Sequence, residues 1–237
     1  MNVIAIIPAR YNSTRLHGKP LKLLTDRTLI QHVYESVAST EIFSEVIVAT
    51  DDQRIFDHVV SFGGIVEMTS PNHKSGTDRI AEVCQEKNFD LVINIQGDEP
   101  FISKEPLHSL INLFSDKMVQ IASLMHILTD DISNPNSVKV VCNRNNFALY
   151  FSRSVIPFNR DKNNNSFAFK HIGVYAFRRK SLFEFINLPL GKLENIEKLE
   201  QLRLLENGIP IKMVETDYKG FGIDTLEDLE KARKMFI

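Results

Sequence analysis

The sequence predicts an α/β fold with a mostly parallel sheet flanked by helices. Three observations carry that prediction. Short continuous apolar runs recur at residues 3–7, 46–50, 65–68 and 91–95, the pattern of strands buried on both faces of a parallel sheet. Segments with helical spacing separate them. Their regular alternation marks βαβ units, whose crossovers are right-handed.

The first run, Val3-Ile4-Ala5-Ile6-Ile7, ends at Pro8. A helix begins at Thr28, with Gln31 three residues on at capping-box spacing, and Leu29, Ile30, Val33 and Val37 share one face. Residues 46–50 form the second strand. Residues 52–62 read as a helix through Ile55, Val59 and Phe62, stopped by Gly63. A short third strand, 65–68, a helix over 77–87 and a fourth strand, 91–95, follow. The second half is less regular. Strands at 119–127, 137–142, 148–151 and 170–177 have few helices between them, which predicts an antiparallel extension of the sheet. One helix is expected over 194–207, stopped by Gly208-Ile209-Pro210, then a strand at 211–215 and a closing helix at 226–235. Residues 161–166, with Asn163-Asn164-Asn165, are polar and expected to be mobile. No internal repeat or linker divides the chain. The expected organisation is one domain over 1–237, with an inserted lobe at 128–190.

A chain of 237 residues can bury a full core without staples, and its two cysteines cannot form a disulfide framework. A net charge of -2 argues against bulk binding to nucleic acid. Anion chemistry therefore has to come from local charge placement. Neither a signal peptide nor a run of about 20 apolar residues is visible, so a cytoplasmic location is expected.

Ligands in open parallel sheets bind outside the carboxyl ends of the strands. The loop after the first strand carries Arg10, Arg15 and Lys19, with Gly18 among them. Arginine forks match phosphate oxygens and lysine adds a point charge, so this loop suits a polyphosphate better than it suits a solvated basic turn. No Walker sequence occurs. Gly220-Phe221-Gly222-Ile223-Asp224-Thr225 misses the dinucleotide fingerprint, since Thr225 replaces the third glycine. The fourth strand runs into Gln96-Gly97-Asp98-Glu99-Pro100. Asp98 there is either a turn residue or a ligand for a hard cation, because Mg²⁺ takes one or two carboxylates plus substrate phosphates. Asp224 competes between that role and capping the last helix. His73-Lys74-Ser75-Gly76-Thr77-Asp78-Arg79 opens a helix, where hydroxyls and backbone amides can cap it, hold a base or ribose, or do both. Cys84 and Cys142 read as buried structural thiols. Two acids beside a basic loop suggest metal-assisted transfer at a nucleotide phosphate.

The blocks Ile6-Ile7-Pro8-Ala9-Arg10, Ser13-Thr14-Arg15-Leu16 and Gly18-Lys19-Pro20-Leu21 resemble the start of the sugar-activating cytidylyltransferases. The likeness runs nearly end to end. It includes Val48-Ala49-Thr50-Asp51, Gln96-Gly97-Asp98-Glu99-Pro100, Ala148-Leu149-Tyr150-Phe151-Ser152-Arg153, His171-Ile172-Gly173-Val174-Tyr175 and Leu199-Glu200-Gln201-Leu202-Arg203. These blocks are most similar to the branch that loads the acid sugar 3-deoxy-manno-octulosonate (Kdo). The resemblance implies a Rossmann-like sheet of the nucleotide-diphospho-sugar transferase type, with the 128–190 lobe serving sugar binding and dimerisation. It implies that CTP and Kdo give CMP-Kdo and pyrophosphate for lipopolysaccharide assembly, with Mg²⁺, in a homodimer. Catalysis would rest on Lys19, Arg10 and Asp98. Ala9, Arg10, Arg15, Lys19, Thr50, Asp51, Ser75, Gly76, Thr77 and Arg79 would hold the nucleotide. Gln96, Arg153, His171, Tyr175, Glu200 and Gln201 would hold the sugar, and Asp98 and Asp224 the metal. His17 and Leu226 stand where the family usually has proline, and Phe158 where tryptophan is frequent. Two alternatives stand beside this reading: activation of a related acid sugar, such as 8-amino-Kdo or a nonulosonate, and a silent nucleotide-binding regulator. The ALYFSR and LEQLR blocks favour Kdo over the first. Retention of Arg10, Lys19, Asp98 and Asp224 argues against the second.

Overall fold

The computed structural model describes residues 1–13, 15–161 and 167–235. Thr14 and most of the segment expected to be mobile, 162–166, lie outside the described residues. The chain forms two compact units, 1–107 with 220–237, and 108–219. The lobe expected at 128–190 falls within the second.

The first unit is the βαβ half. Its strands are β1 (Val3–Ala9), β2 (Glu45–Thr50), β3 (Ile65–Met68) and β4 (Leu91–Asn94). All pair in parallel in the order β3-β2-β1-β4. The chain builds outward from β1 to β3, then crosses back to place β4 on the other side of β1. That reversal creates a switch point between β1 and β4, where ligands of such sheets bind. β1 extends two residues beyond its expected end, through Pro8. This is tolerated because the last β1–β4 pair is Ile6 with Asn94, so no β4 partner remains at Pro8.

The helices follow the apolar spacing. In α1 (Leu29–Ala38) the expected face of Leu29, Ile30, Val33 and Val37 is buried, and the Thr28 hydroxyl accepts from the Gln31 N–H at 3.4 Å. Asp52 caps α2 (Gln53–Ser61). In α3 (Gly76–Cys84), Ser75 and Asp78 form a reciprocal capping box. The closing helix α8 (Leu226–Lys234) is capped in the same way, by Thr225 with Asp228. Between β4 and the second half the structure adds α4 (Lys104–Asn112), beyond the elements expected from the sequence.

In the second unit, β5 (Ile121–Leu128) pairs antiparallel with β8 (Ala168–Arg178) and parallel with β9 (Lys212–Glu215). β6 (Lys139–Cys142) pairs antiparallel with β7 (Ala148–Ser152) and with β8. Helix α5 (Arg179–Ile186) follows β8. The single helix expected over 194–207 is two, α6 (Lys192–Glu197) and α7 (Leu202–Glu206). Lys198 breaks it by adopting the left-handed conformation at φ 54°. The apolar spacing survives the break, which is why it concealed it.

One close approach positions the loop after β4. A side chain at Gly97 would bring a Cβ within 2.9 Å of the Pro8 carbonyl oxygen, closer than such contacts occur. Gly97→Ala is expected to destabilise the fold by about 1–3 kcal/mol through forced backbone displacement. Urea denaturation, read as a lower midpoint at unchanged slope, checks this.

Candidate active site

The loops after β1 and β4 and the approach to α8 enclose a cavity of about 360 Å³, lined by Arg10, Arg15, Lys19, Gly76, Asp98 and Asp224 among others. The β1 loop folds on itself: the Tyr11 carbonyl accepts from the N–H groups of Ser13 (2.9 Å) and Gly18 (3.0 Å). Gly18 sits at φ +65°, against the Tyr11 ring, and the chain then enters a 3-10 turn at Lys19–Leu21. The Arg54 guanidinium packs 3.4 Å from the centroid of the Tyr11 ring.

Lys19 is the centre of the cavity's electrostatics. Its ammonium donates to Asp98 Oδ2 at 2.6 Å and to Asp224 Oδ1 at 3.0 Å, while Arg15 pairs with Asp224 Oδ2 at 3.0 Å. Burial lowers the Lys19 pKa, but attraction and hydrogen bonds from both carboxylates outweigh it and raise it above the ordinary lysine value. The helix-cap alternative for Asp224 falls away, because Thr225 holds that position. The two acid-bearing segments are also joined through backbone, by a bond from the Ile223 N–H to the Asp98 carbonyl at 3.0 Å. The cavity also takes in Pro8, Asn12, Ser13 and Pro20, which the sequence reading did not single out although they flank the basic residues.

The remaining nucleotide candidates form a neighbouring cluster. Arg79 is fully buried, pairs with Asp51 at 3.0 Å and donates to the Thr69 hydroxyl. The Thr50 carbonyl accepts from both the N–H and the hydroxyl of Thr69. Ser75 is committed to its cap and Thr77 is buried. Gly76 and Ala9 reach the cavity, whereas Thr50, Asp51, Ser75, Thr77 and Arg79 are not among its lining residues.

The sugar candidates divide between the units. Gln96 lines the cavity of the first. The other five lie in the second, where the β5–β8 register shifts between the Ser123–Tyr175 and Leu124–Ile172 pairs and β8 bulges at Gly173 and Val174. The Ser123 hydroxyl occupies this bulge, close to the Ile172 and Val174 carbonyls and 3.1 Å from His171 Nε2. Four residues of regular strand span about 13 Å, yet the His171 and Tyr175 ring centroids lie 5.3 Å apart. The bulge gathers them, as bulges re-aim side chains. No local pattern in the sequence announced Ser123. Burial, with Lys170 nearby, pushes the His171 pKa down to about 3, so the ring is neutral. Burial and the Glu200 charge push the Tyr175 hydroxyl well above its usual value. Gln201 Nε2 is buried without a hydrogen-bond partner in the structure. The Arg153 guanidinium is held by the carbonyls of Glu197 (2.9 Å) and Pro135 (3.0 Å), and its backbone N–H donates to the Glu197 carboxylate at 3.0 Å.

His171 gives a pH dependence with a definite sign. Its native pKa is depressed, so between about pH 6.5 and 3 the unfolded chain takes up a proton that the native state refuses. Its contribution to stability is complete above pH 6.5 and declines by up to about 1.4 kcal/mol per pH unit as the pH falls. His171→Gln is expected to flatten the wild-type loss of stability between pH 6.5 and 4.5, measured by urea unfolding at several pH values.

Comparison with known proteins places the chain. A cytidylyltransferase family profile matches residues 4–215. The 3-deoxy-manno-octulosonate cytidylyltransferase of Flavobacterium johnsoniae is 51% identical over 99% of this chain and 98% of its own length. The enzyme of the same name from Fusobacterium nucleatum is 51% identical over 98% and 96%. A solved structure of CMP:2-keto-3-deoxy-manno-octonic acid synthetase complexed with CTP superimposes with a TM-score of 0.94, at 41% identity over 100% of this chain and 98% of that one. The chain belongs to the cytidylyltransferase family, in its 3-deoxy-manno-octulosonate cytidylyltransferase branch.

Proposed function

We propose that the chain transfers CMP from CTP to Kdo, releasing pyrophosphate and supplying CMP-Kdo for lipopolysaccharide assembly. The observation that carries this reading is the convergence of Arg10, Arg15, Lys19, Asp98 and Asp224 on one cavity at the sheet's switch point. The relatives named above, one of them holding CTP, support the choice of nucleotide and sugar.

Two carboxylates meeting one ammonium fit a shared hard cation. Among the described residues no group of three or more His, Cys, Asp or Glu side chains could hold a metal. That suits Mg²⁺, which takes one or two carboxylates and completes its shell with phosphate oxygens and water. Asp98 and Asp224 would hold it, and when bound it would neutralise phosphate charge and make the sugar hydroxyl more acidic.

The chain's own residues then have distinct tasks. Arg10, Arg15 and Lys19 bind phosphate oxygens and stabilise charge growing on pyrophosphate as it leaves. The anomeric oxygen of Kdo forms the new bond to the α-phosphorus, the α–β anhydride bond breaks, and the hydroxyl proton is released. Thr50, Asp51 and the residues from Ser75 to Arg79 shape the cytidine side. Arg153 offers a charge for the sugar carboxylate. Neutral His171, Tyr175 and Gln201, with Gln96 and Glu200, supply hydrogen bonds to hydroxyls. Gln201 Nε2, buried without a protein partner, favours a polar ligand there.

The 128–190 segment is proposed as the sugar-binding and dimerisation lobe. Exposed Leu149, Phe158 and Leu190 supply apolar surface suited to a second copy. No helix among the described residues is long and apolar enough to cross a membrane. A cytoplasmic homodimer is the assembly proposed.

Coupled pyrophosphate detection over CTP, UTP and ATP with several 2-keto-3-deoxy sugars tests the reading. Release is expected only with CTP and Kdo together, and equal release without sugar overturns it. Asp98→Asn is expected to lower kcat about 10²-fold or more at saturating Mg²⁺, as loss of a charge-stabilising group does. Near-normal turnover would remove Asp98 from the metal site.

A further inference from the structure

Arg10 reaches the cavity from the end of β1, but its orientation is set elsewhere. Its guanidinium donates to the backbone carbonyl of His73 at 3.1 Å. His73 belongs to the connection between β3 and α3, a loop of the kind that moves unless it is tied down. Here it is tied. The His73 ring Nε2 bonds to Glu82 Oε2, and the same carboxylate oxygen accepts from the Ser70 N–H at 2.9 Å. The Ser70 hydroxyl in turn accepts from the Asn72 N–H at 3.2 Å.

Glu82 lies in the last turn of α3, between buried Ala81 and Val83. The helix is fixed at its start by the Ser75–Asp78 box. One carboxylate therefore gathers both ends of the 70–73 turn onto a rigid element. Burial raises the Glu82 pKa, but the bonds from His73 and Ser70 more than offset this and hold it below the ordinary carboxylate range. Both side chains are half-buried, and neither His73 nor Glu82 lines the cavity.

We propose that His73 and Glu82 are positioning residues for nucleotide binding: they fix the His73 carbonyl, which orients the Arg10 guanidinium toward phosphate. The inference rests on the nucleotide side of the proposed function and is independent of the sugar. Its physical basis is preorganisation. An arginine held by one bond presents its remaining N–H donors in a fixed plane, so less rotamer freedom is lost when an anion binds. Releasing the loop leaves every phosphate ligand in place and makes Arg10 search for its geometry.

The test compares His73→Ala, His73→Gln, Arg10→Ala and the double variant His73→Ala/Arg10→Ala. His73→Ala is expected to raise KM for CTP about five- to tenfold and to lower kcat no more than Arg10→Ala does, with KM for Kdo within about twofold, because only the Arg10 contact with the nucleotide is loosened. His73→Gln keeps a side-chain donor for Glu82 and is expected to restore KM to within about twofold of wild type. In the Arg10→Ala background the His73 substitution is expected to have no further effect, because the two act through one group. A purely structural role would raise both KM values together, or would add to the Arg10 loss, and either result overturns the proposal. Calorimetric titration with Mg-CTP needs no sugar, so a wrong sugar assignment leaves this test intact. Equal CTP affinity of wild type and His73→Ala overturns this inference alone, whereas a wild-type chain that binds no CTP overturns the nucleotide reading with it.

Discussion

The contact on which the site depends is the Lys19 ammonium between Asp98 and Asp224. It joins three segments that are far apart in sequence: the loop after β1, the loop after β4 and the approach to the last helix. An ammonium that is largely withdrawn from water is costly unless anions face it. Two carboxylates that approach each other are equally costly without a cation between them. Each group is tolerable only because the others are present, so the chain's ends and middle must meet at this point. The fold supplies the means. Gly97 lets the β4 loop lie against Pro8, and the Ile223–Asp98 backbone bond draws in the C-terminal segment.

Most of the first unit was legible in the sequence, because its elements are governed by local rules. The runs at Val3, Val46 and Leu91 read as buried strands, and they form β1, β2 and β4. Thr28 and Asp52 sit as caps where apolar periodicity begins. What local rules do not carry was missed. Lys198 breaks a helix without altering its apolar spacing, and the Gly173–Val174 bulge depends on Ser123, about fifty residues away. The candidate site shows the same division. Arg10, Arg15, Lys19, Asp98 and Asp224 were named from charge at strand ends and motif likeness, and they converge on one cavity. The burial of Arg79 against Asp51 and Thr69 was not readable, because nothing in a sequence separates a buried arginine from an exposed one.

The two units solve different problems with different polarity. The first offers charge: cations and carboxylates in an open cavity. The second keeps His171 and Tyr175 neutral beside Arg153 and Glu200, with His171 pushed toward a pKa of about 3 and Tyr175 well above its usual value. Neutral donors and acceptors discriminate among hydroxyl patterns, since a mismatched ligand leaves one of them buried and unpaired. Charge binds strongly but distinguishes poorly among phosphates. The proposed reaction needs both properties, and the chain separates them.

A net charge of -2 is therefore no obstacle to binding a triphosphate. Two of the cavity's three cations, Lys19 and Arg15, already pair with its two carboxylates, while Arg10 is held by the His73 carbonyl. Phosphates arriving alone would draw those cations away and leave Asp98 and Asp224 facing each other. A divalent cation arriving alone would have to compete with Lys19 for the same oxygens. If the two entered together, each ion pair could be exchanged rather than simply lost: Lys19 and Arg15 would pass to phosphates, and Asp98 and Asp224 would hold the metal. On the proposed assignment, such a site would favour the metal–nucleotide complex over either component, using no charge beyond that already stored in the fold.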